Sequence, residues 1–185
     1  MKTTTRKKIA EAAAAIMIAA SVAGFPVPAQ ASGGGAEVII QLPGTATCLT
    51  AQQKRYPDTW PVTLETCQES RAATWVITDI GNEPGGVVLR SLATGRYLGQ
   101  STANPHTPVQ QEIPVRLDYS TITSDGKTLW IFDLGIPRTK GTLRLSAWFF
   151  EGAPPGIRKG WRVDWETAEE DPVSGLQVWN VIHSG

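Results

Sequence analysis

The sequence predicts an all-β fold built from three similar units of four strands, and three observations predict it. Short apolar, β-type runs follow one another from residue 37 to 182, punctuated by Gly, Pro, Asn and Asp. No window carries the 3.6-residue period of an amphipathic helix. The runs also repeat: VIIQLPGTATCLTA (38–51) lines up with VVLRSLATGRYLGQ (87–100) at a shift of 49 residues, and TLRLSAWFFEG (142–152) is a shortened third copy.

The N-terminus is set aside first. Lys2, Arg6, Lys7 and Lys8 precede an uncharged, Ala-rich run over residues 12–25. Pro26 and Pro28 break that run, and Ala29-Gln30-Ala31 fits a small-x-small cleavage site. This is the pattern of a secretory signal peptide, 1–31, cleaved on export. The apolar run is shorter than the roughly 20 residues a membrane helix needs. The expected product is secreted, with residues 32–36 as a flexible Gly-rich leader and 37–185 as one domain.

The strands then follow in order. Residues 37–42, 48–51, 62–67 and 75–80 make a first unit, 37–83. Residues 87–91, 97–100, 115–119 and 129–134 make a second, 84–140. Residues 142–145, 148–150, 161–165 and 176–182 make a third, 141–185. VTLETC (62–67) is matched to VRLDYS (115–120) and WRVDWE (161–166), and ATWVITDIG (73–81) to LWIFDLG (129–135) and LQVWNVIHSG (176–185). Trp75, Trp130 and Trp179 thereby fall at equivalent places. Twelve strands in three units suit a β-trefoil, with six strands closing a barrel, three hairpins capping it and the three Trp rings buried beneath.

Charge and cysteines narrow the function. Removing four cations and one anion with the signal leaves 13 Lys+Arg against 16 Asp+Glu, a net charge of −3. That balance argues against a nucleic-acid or anionic-membrane partner, and the expected product is monomeric. Cys48 and Cys67 both lie in the exported part, 19 residues apart, and are expected to form one disulfide. Two cysteines are too few for a structural zinc site; no metal or cofactor is expected. His106 and His183 lack a motif-spaced nucleophile or metal partner, and the run Glu169-Glu170-Asp171 reads as a solvated turn. Asp79, Asp118, Asp133 and Asp164 could only serve glycoside hydrolysis if two of them faced each other. No phosphate loop or serine elbow occurs, so the expectation is a binding protein, not an enzyme.

Cys48-Leu49, then Val62-Thr63-Leu64-Glu65-Thr66-Cys67, then Trp75, together with Gln177-Val178-Trp179, resembles the ricin-B-type lectin domain. The resemblance implies a β-trefoil and the binding of sugars such as galactose. Such domains usually carry an Asp just after Cys-Leu, where this chain has Thr50 and, in unit two, Gly99. Their stacking aromatic, two residues before the second cysteine, corresponds to Glu65 and, in unit two, Asp118. The Gln of Gln-x-Trp is Ala73 and Thr128 in those units. Unit three alone keeps the needed residue types: Gln177, Asp164, Trp165, Trp161 and Asn180, with Trp148 nearby. An aromatic face and a few planar polar groups are what a carbohydrate site requires. Trp161 and Trp165 also share an apolar strand face with Val163, which would make them core instead. The alternative partner is a secreted protease, since β-trefoil inhibitors also exist. The loops at 100–114 and 151–160, EGAPPGIRKG, are proline-stiffened, and Arg158 or Lys159 in the latter could enter an acidic protease pocket.

Overall fold

Alternating apolar residues turn one face of strands such as Ala36–Gln41 and Gly160–Thr167 toward the core. The computed structural model describes residues 35–56, 58–68, 70–80, 86–134, 142–151, 159–169, 171–173 and 176–184. The expected signal peptide lies outside the described residues, as do Pro154, Pro155 and Arg158. The described residues form twelve strands and no helix: β1 (Ala36–Gln41), β2 (Thr47–Ala51), β3 (Trp60–Thr66), β4 (Thr74–Asp79), β5 (Gly86–Ser91), β6 (Tyr97–Gln100), β7 (Pro108–Gln111), β8 (Leu117–Ser124), β9 (Lys127–Leu134), β10 (Leu143–Phe150), β11 (Gly160–Thr167) and β12 (Asn180–His183).

Antiparallel ladders link β1 to β4, β4 to β5, β5 to β8 and β8 to β9. Reciprocal 2.8 Å backbone hydrogen bonds between Trp130 and Trp179 carry β9 to the start of β12, which pairs back with β1. Six strands thus close a barrel, which removes exposed edges. The pairs β2–β3, β6–β7 and β10–β11 form three hairpins beside it. This is a β-trefoil. One core cluster runs through all three units and includes Ile40, Leu49, Trp75, Leu89, Leu98, Leu117, Phe132, Leu145, Trp165 and Trp179, each fully buried. A fully buried Leu or Phe contributes about 1.5–3 kcal/mol. Cys48 and Cys67 are disulfide-bonded, Cα to Cα 4.9 Å, so the hairpin of unit one is stapled.

The register corrects the expected unit boundaries. Strands β8 and β9 are one barrel hairpin, turned at Asp125 and Gly126, whose φ values of 51° and 71° make the left-handed pair of a tight turn. The third unit therefore begins at β9 rather than at 141, and the second ends at β8. Trp75 pairs with Val38, Leu117 with Val87, and Trp179 with Trp130. Trp75 and Trp179 are true equivalents, their indole N–H groups donating to Leu49 O (2.9 Å) and Leu145 O (3.0 Å). Unit two has Leu117 in that place. Trp130 stands where the other units have valine, half-buried and stacked on Tyr119 at 4.8 Å.

Two further matches shift. The expected loop at 100–114 contains β7, a four-residue strand rich in glutamine. Gln110 occupies a buried core-side position, and its amide nitrogen donates to Gln52 O (2.9 Å) and Pro61 O (3.0 Å). At that core-side position hydrogen bonding, rather than apolar burial, satisfies the strand. In unit three, Leu64 corresponds to Trp165, because Leu49 pairs with Leu64 and Leu145 with Trp165. WRVDWE is thus displaced by two residues from its expected match with VTLETC. A slip of two preserves which face each side chain takes, so alternation cannot reveal it.

Candidate functional site

The β10–β11 hairpin of unit three positions the site. Its ladder pairs Ser146 with Asp164 and Trp148 with Arg162. Leu143, Leu145 and Ala147, with Val163 and Trp165, are buried on the inner face. Period-2 alternation therefore sends Ser146, Trp148, Asp164 and Glu166 to the outer face. There they line a cleft of about 470 Å³ together with Thr167–Glu169 and Gln177.

The geometry is specific. The Trp148 indole N–H donates to Asp164 Oδ2 at 2.6 Å, which leaves the ring, 40% exposed, as an aromatic wall. Burial pushes the Asp164 carboxyl above its ordinary range, against the lowering effects of the Trp148 hydrogen bond and the nearby His106 charge. The loop before β7 braces the back of β11: Trp165 N–H donates to His106 O at 2.7 Å, and His106 Nδ1 lies 2.7 Å from Trp165 O. Gln177, 1% exposed, bridges the far wall, its amide nitrogen donating to Thr167 O (2.9 Å) and its oxygen accepting from Glu169 N–H (2.9 Å).

Of the residues expected to form the site, the cleft unites Asp164 and Gln177, and Gln177 serves as scaffold. Trp165 is core: it is fully buried and its indole N–H donates to Gly99 O at 3.0 Å. Trp161 meets Phe149 edge-on at 5.1 Å and lines a separate crevice against β3. Asn180 lies on β12 opposite Gln41, away from the cleft. Ser146, Glu166 and Glu169 were not anticipated, and the missing signal was the register of the hairpin. Lys159 of the other candidate loop lies 2.8 Å from Glu151 and 5.3 Å from the Phe149 ring centre. Asp118 and Asp133 do face each other across β8–β9, but Arg116 holds one (2.9 Å) and Arg144 the other (2.8 Å).

The threefold register shows how far the cleft is repeated. Trp148 corresponds to Gln52 and Ser101, Asp164 to Thr63 and Val109, Glu166 to Glu65 and Gln111, and Ser146 to Thr50 and Gly99. In unit one Gln52 donates to Thr63 Oγ1 at 2.7 Å and to Glu65 Oε1 at 3.4 Å, so those polar groups satisfy one another. In unit two Val109 is apolar and buried, and the Gln111 amide donates to Gln100 O. An exposed aromatic beside a half-buried carboxylate occurs only in unit three among these positions.

No protein-family model matches this chain, and no curated protein matches it. Solved structures do. A ricin B-like lectin from Macrolepiota procera, solved in complex with lactose, is 17% identical, with 80% of this chain and 96% of that one covered and a TM-score of 0.53. The Rhizoctonia solani agglutinin is 15% identical, covering 81% and 96%, with a TM-score of 0.55. ThreeFoil, a designed threefold-symmetric protein, is 14% identical, covering 79% and 97%, with a TM-score of 0.55. At such identities the likeness is one of fold, and it agrees with the barrel and hairpins described above.

Proposed function

We propose that this chain is a secreted, non-enzymatic carbohydrate-binding module whose saccharide site is the unit-three cleft. The observation that carries the reading is the Trp148–Asp164 pair. A sugar ring presents C–H bonds on one face and hydroxyls at its edge. An indole fixed by its own N–H offers a rigid face for the first, and the adjoining carboxylate accepts from the second. The ricin B-like lectin neighbours support the same class of ligand, and the disulfide fits an oxidising compartment.

A glycan array with the mature chain, followed by calorimetry on its best ligands, tests this. Trp148→Ala and Asp164→Ala should each weaken binding at least about tenfold, the loss of one well-made contact of roughly 1.4 kcal/mol, with thermal unfolding nearly unchanged. Full binding by both variants would sink the assignment. A protease panel run alongside covers the other partner. Inhibition abolished by Arg158→Ala or Lys159→Ala, with no glycan bound, would favour the inhibitor instead.

A further inference from the structure

We infer that the cleft selects a cationic amino sugar, such as a glucosamine oligosaccharide, over its neutral or anionic counterparts; this rests on the cleft being a saccharide site. Three carboxylates line it, Asp164, Glu166 and Glu169, and no Lys or Arg does. Arg144 stands opposite Glu166 in the β10–β11 ladder and would be its natural partner. Its guanidinium is instead committed to both Asp133 oxygens, at 2.8 and 3.2 Å, and to the backbone oxygen of Glu169 at 3.3 Å. Among the described residues the side chains of Glu166 and Glu169 have no hydrogen-bond or ion-pair partner.

The remaining wall suits the same ligand. An ammonium group over the exposed Trp148 face gains from the ring quadrupole while its sugar ring packs against the indole. Asp164 is short of solvation in its charged form, since burial raises its carboxyl. A bound cation relieves that deficit, whereas an anionic sugar would deepen it. The carboxylates do not converge as metal ligands: among the described residues no group of three or more such side chains could hold a metal ion. A cation carried on a flat, partly apolar ring fits what the cleft offers better than a bare ion. The equivalent unit-one carboxylate, Glu65, is already engaged by Gln52 and Thr63, so this charge pattern is not repeated there.

The test is calorimetric titration of the full mature chain with a glucosamine oligosaccharide, its N-acetylated counterpart of equal length and lactose. The glucosamine oligomer should bind about tenfold more tightly than the acetylated one, since each exposed ion pair adds between almost nothing and about fivefold. The preference should shrink when salt rises from ~10 mM to ~1 M, as the screening length falls from about 30 Å to about 3 Å. In Glu166→Gln/Glu169→Gln, whose folding is checked by thermal unfolding, the ratio of the two affinities should fall toward one. Equal or tighter binding of the acetylated oligomer or lactose overturns the charge selection while leaving the saccharide site standing. A glucosamine preference untouched by the double variant also overturns it, because the ligand then sits elsewhere. If no saccharide binds at all, both the selection and the saccharide site are wrong.

Discussion

The Trp148 indole N–H donates to Asp164 Oδ2 at 2.6 Å across the β10–β11 hairpin, and that bond couples an exposed ring to a half-buried carboxylate. It holds the ring in one orientation, so a ligand stacking there need not first order a free side chain. It also makes Trp148 a reporter of Asp164.

The first prediction concerns pH. Because the folded Asp164 pKa is raised, the folded protein binds more protons than the unfolded chain between the unfolded value, about 4, and the raised folded value. The contribution of Asp164 to stability therefore falls as pH rises through that window and is least favourable above it. Asp164→Asn keeps an oxygen acceptor for Trp148 and removes the poorly solvated charge. Its unfolding midpoint at neutral pH should equal or exceed wild type, while saccharide binding weakens. A clear loss of stability at neutral pH would show that the charged form is needed for folding.

The second concerns the core. Trp165→Ala should cost about 3–5 kcal/mol through lost burial and a cavity, measured by denaturant unfolding. Trp165→Phe should still cost about 1–3 kcal/mol, because Gly99 O would lose its buried donor. Unchanged stability in both, with lost glycan binding, would return Trp165 to the site.

The third distinguishes the tryptophans by unit. Trp75→Ala and Trp179→Ala should each cost about 3–5 kcal/mol. Trp130→Ala should cost less, because that ring is only partly buried. Equal losses for all three would contradict the partial exposure of Trp130.

The fourth concerns the staple. Cys67→Ala should lower stability by about 2–5 kcal/mol. Intact-mass analysis of the purified chain should show no free thiols, since both cysteines are bonded.

The fifth concerns the far wall. Gln177→Ala leaves Thr167 O and Glu169 N–H without their partner. It should cost about 1–3 kcal/mol and weaken glycan binding through the displaced wall. Binding loss without any stability loss would make Gln177 a direct contact.

By itself the sequence determined the all-β class, the threefold architecture and the disulfide. Alternation, turn residues and a 49-residue repeat are local signals, and they survive small errors of alignment. It also marked the third unit as the one keeping Asp164 and Gln177. Only the tertiary structure decided which residues share the cleft. Trp165 and Trp161 lie four residues apart and alternate identically, yet one is sealed in the core and the other stands at its margin. A register slip of two leaves every side chain on its expected face. Alternation therefore could not tell Leu64's partner in the repeat from its neighbour. Strand β7 was hidden for a different reason: it is short, and Gln110 satisfies its burial by hydrogen bonds rather than by apolar surface. The Trp148–Asp164 contact joins residues 16 apart. It exists because hairpin closure pairs Ser146 with Asp164, a relation that strand pairing in space creates and no local pattern encodes.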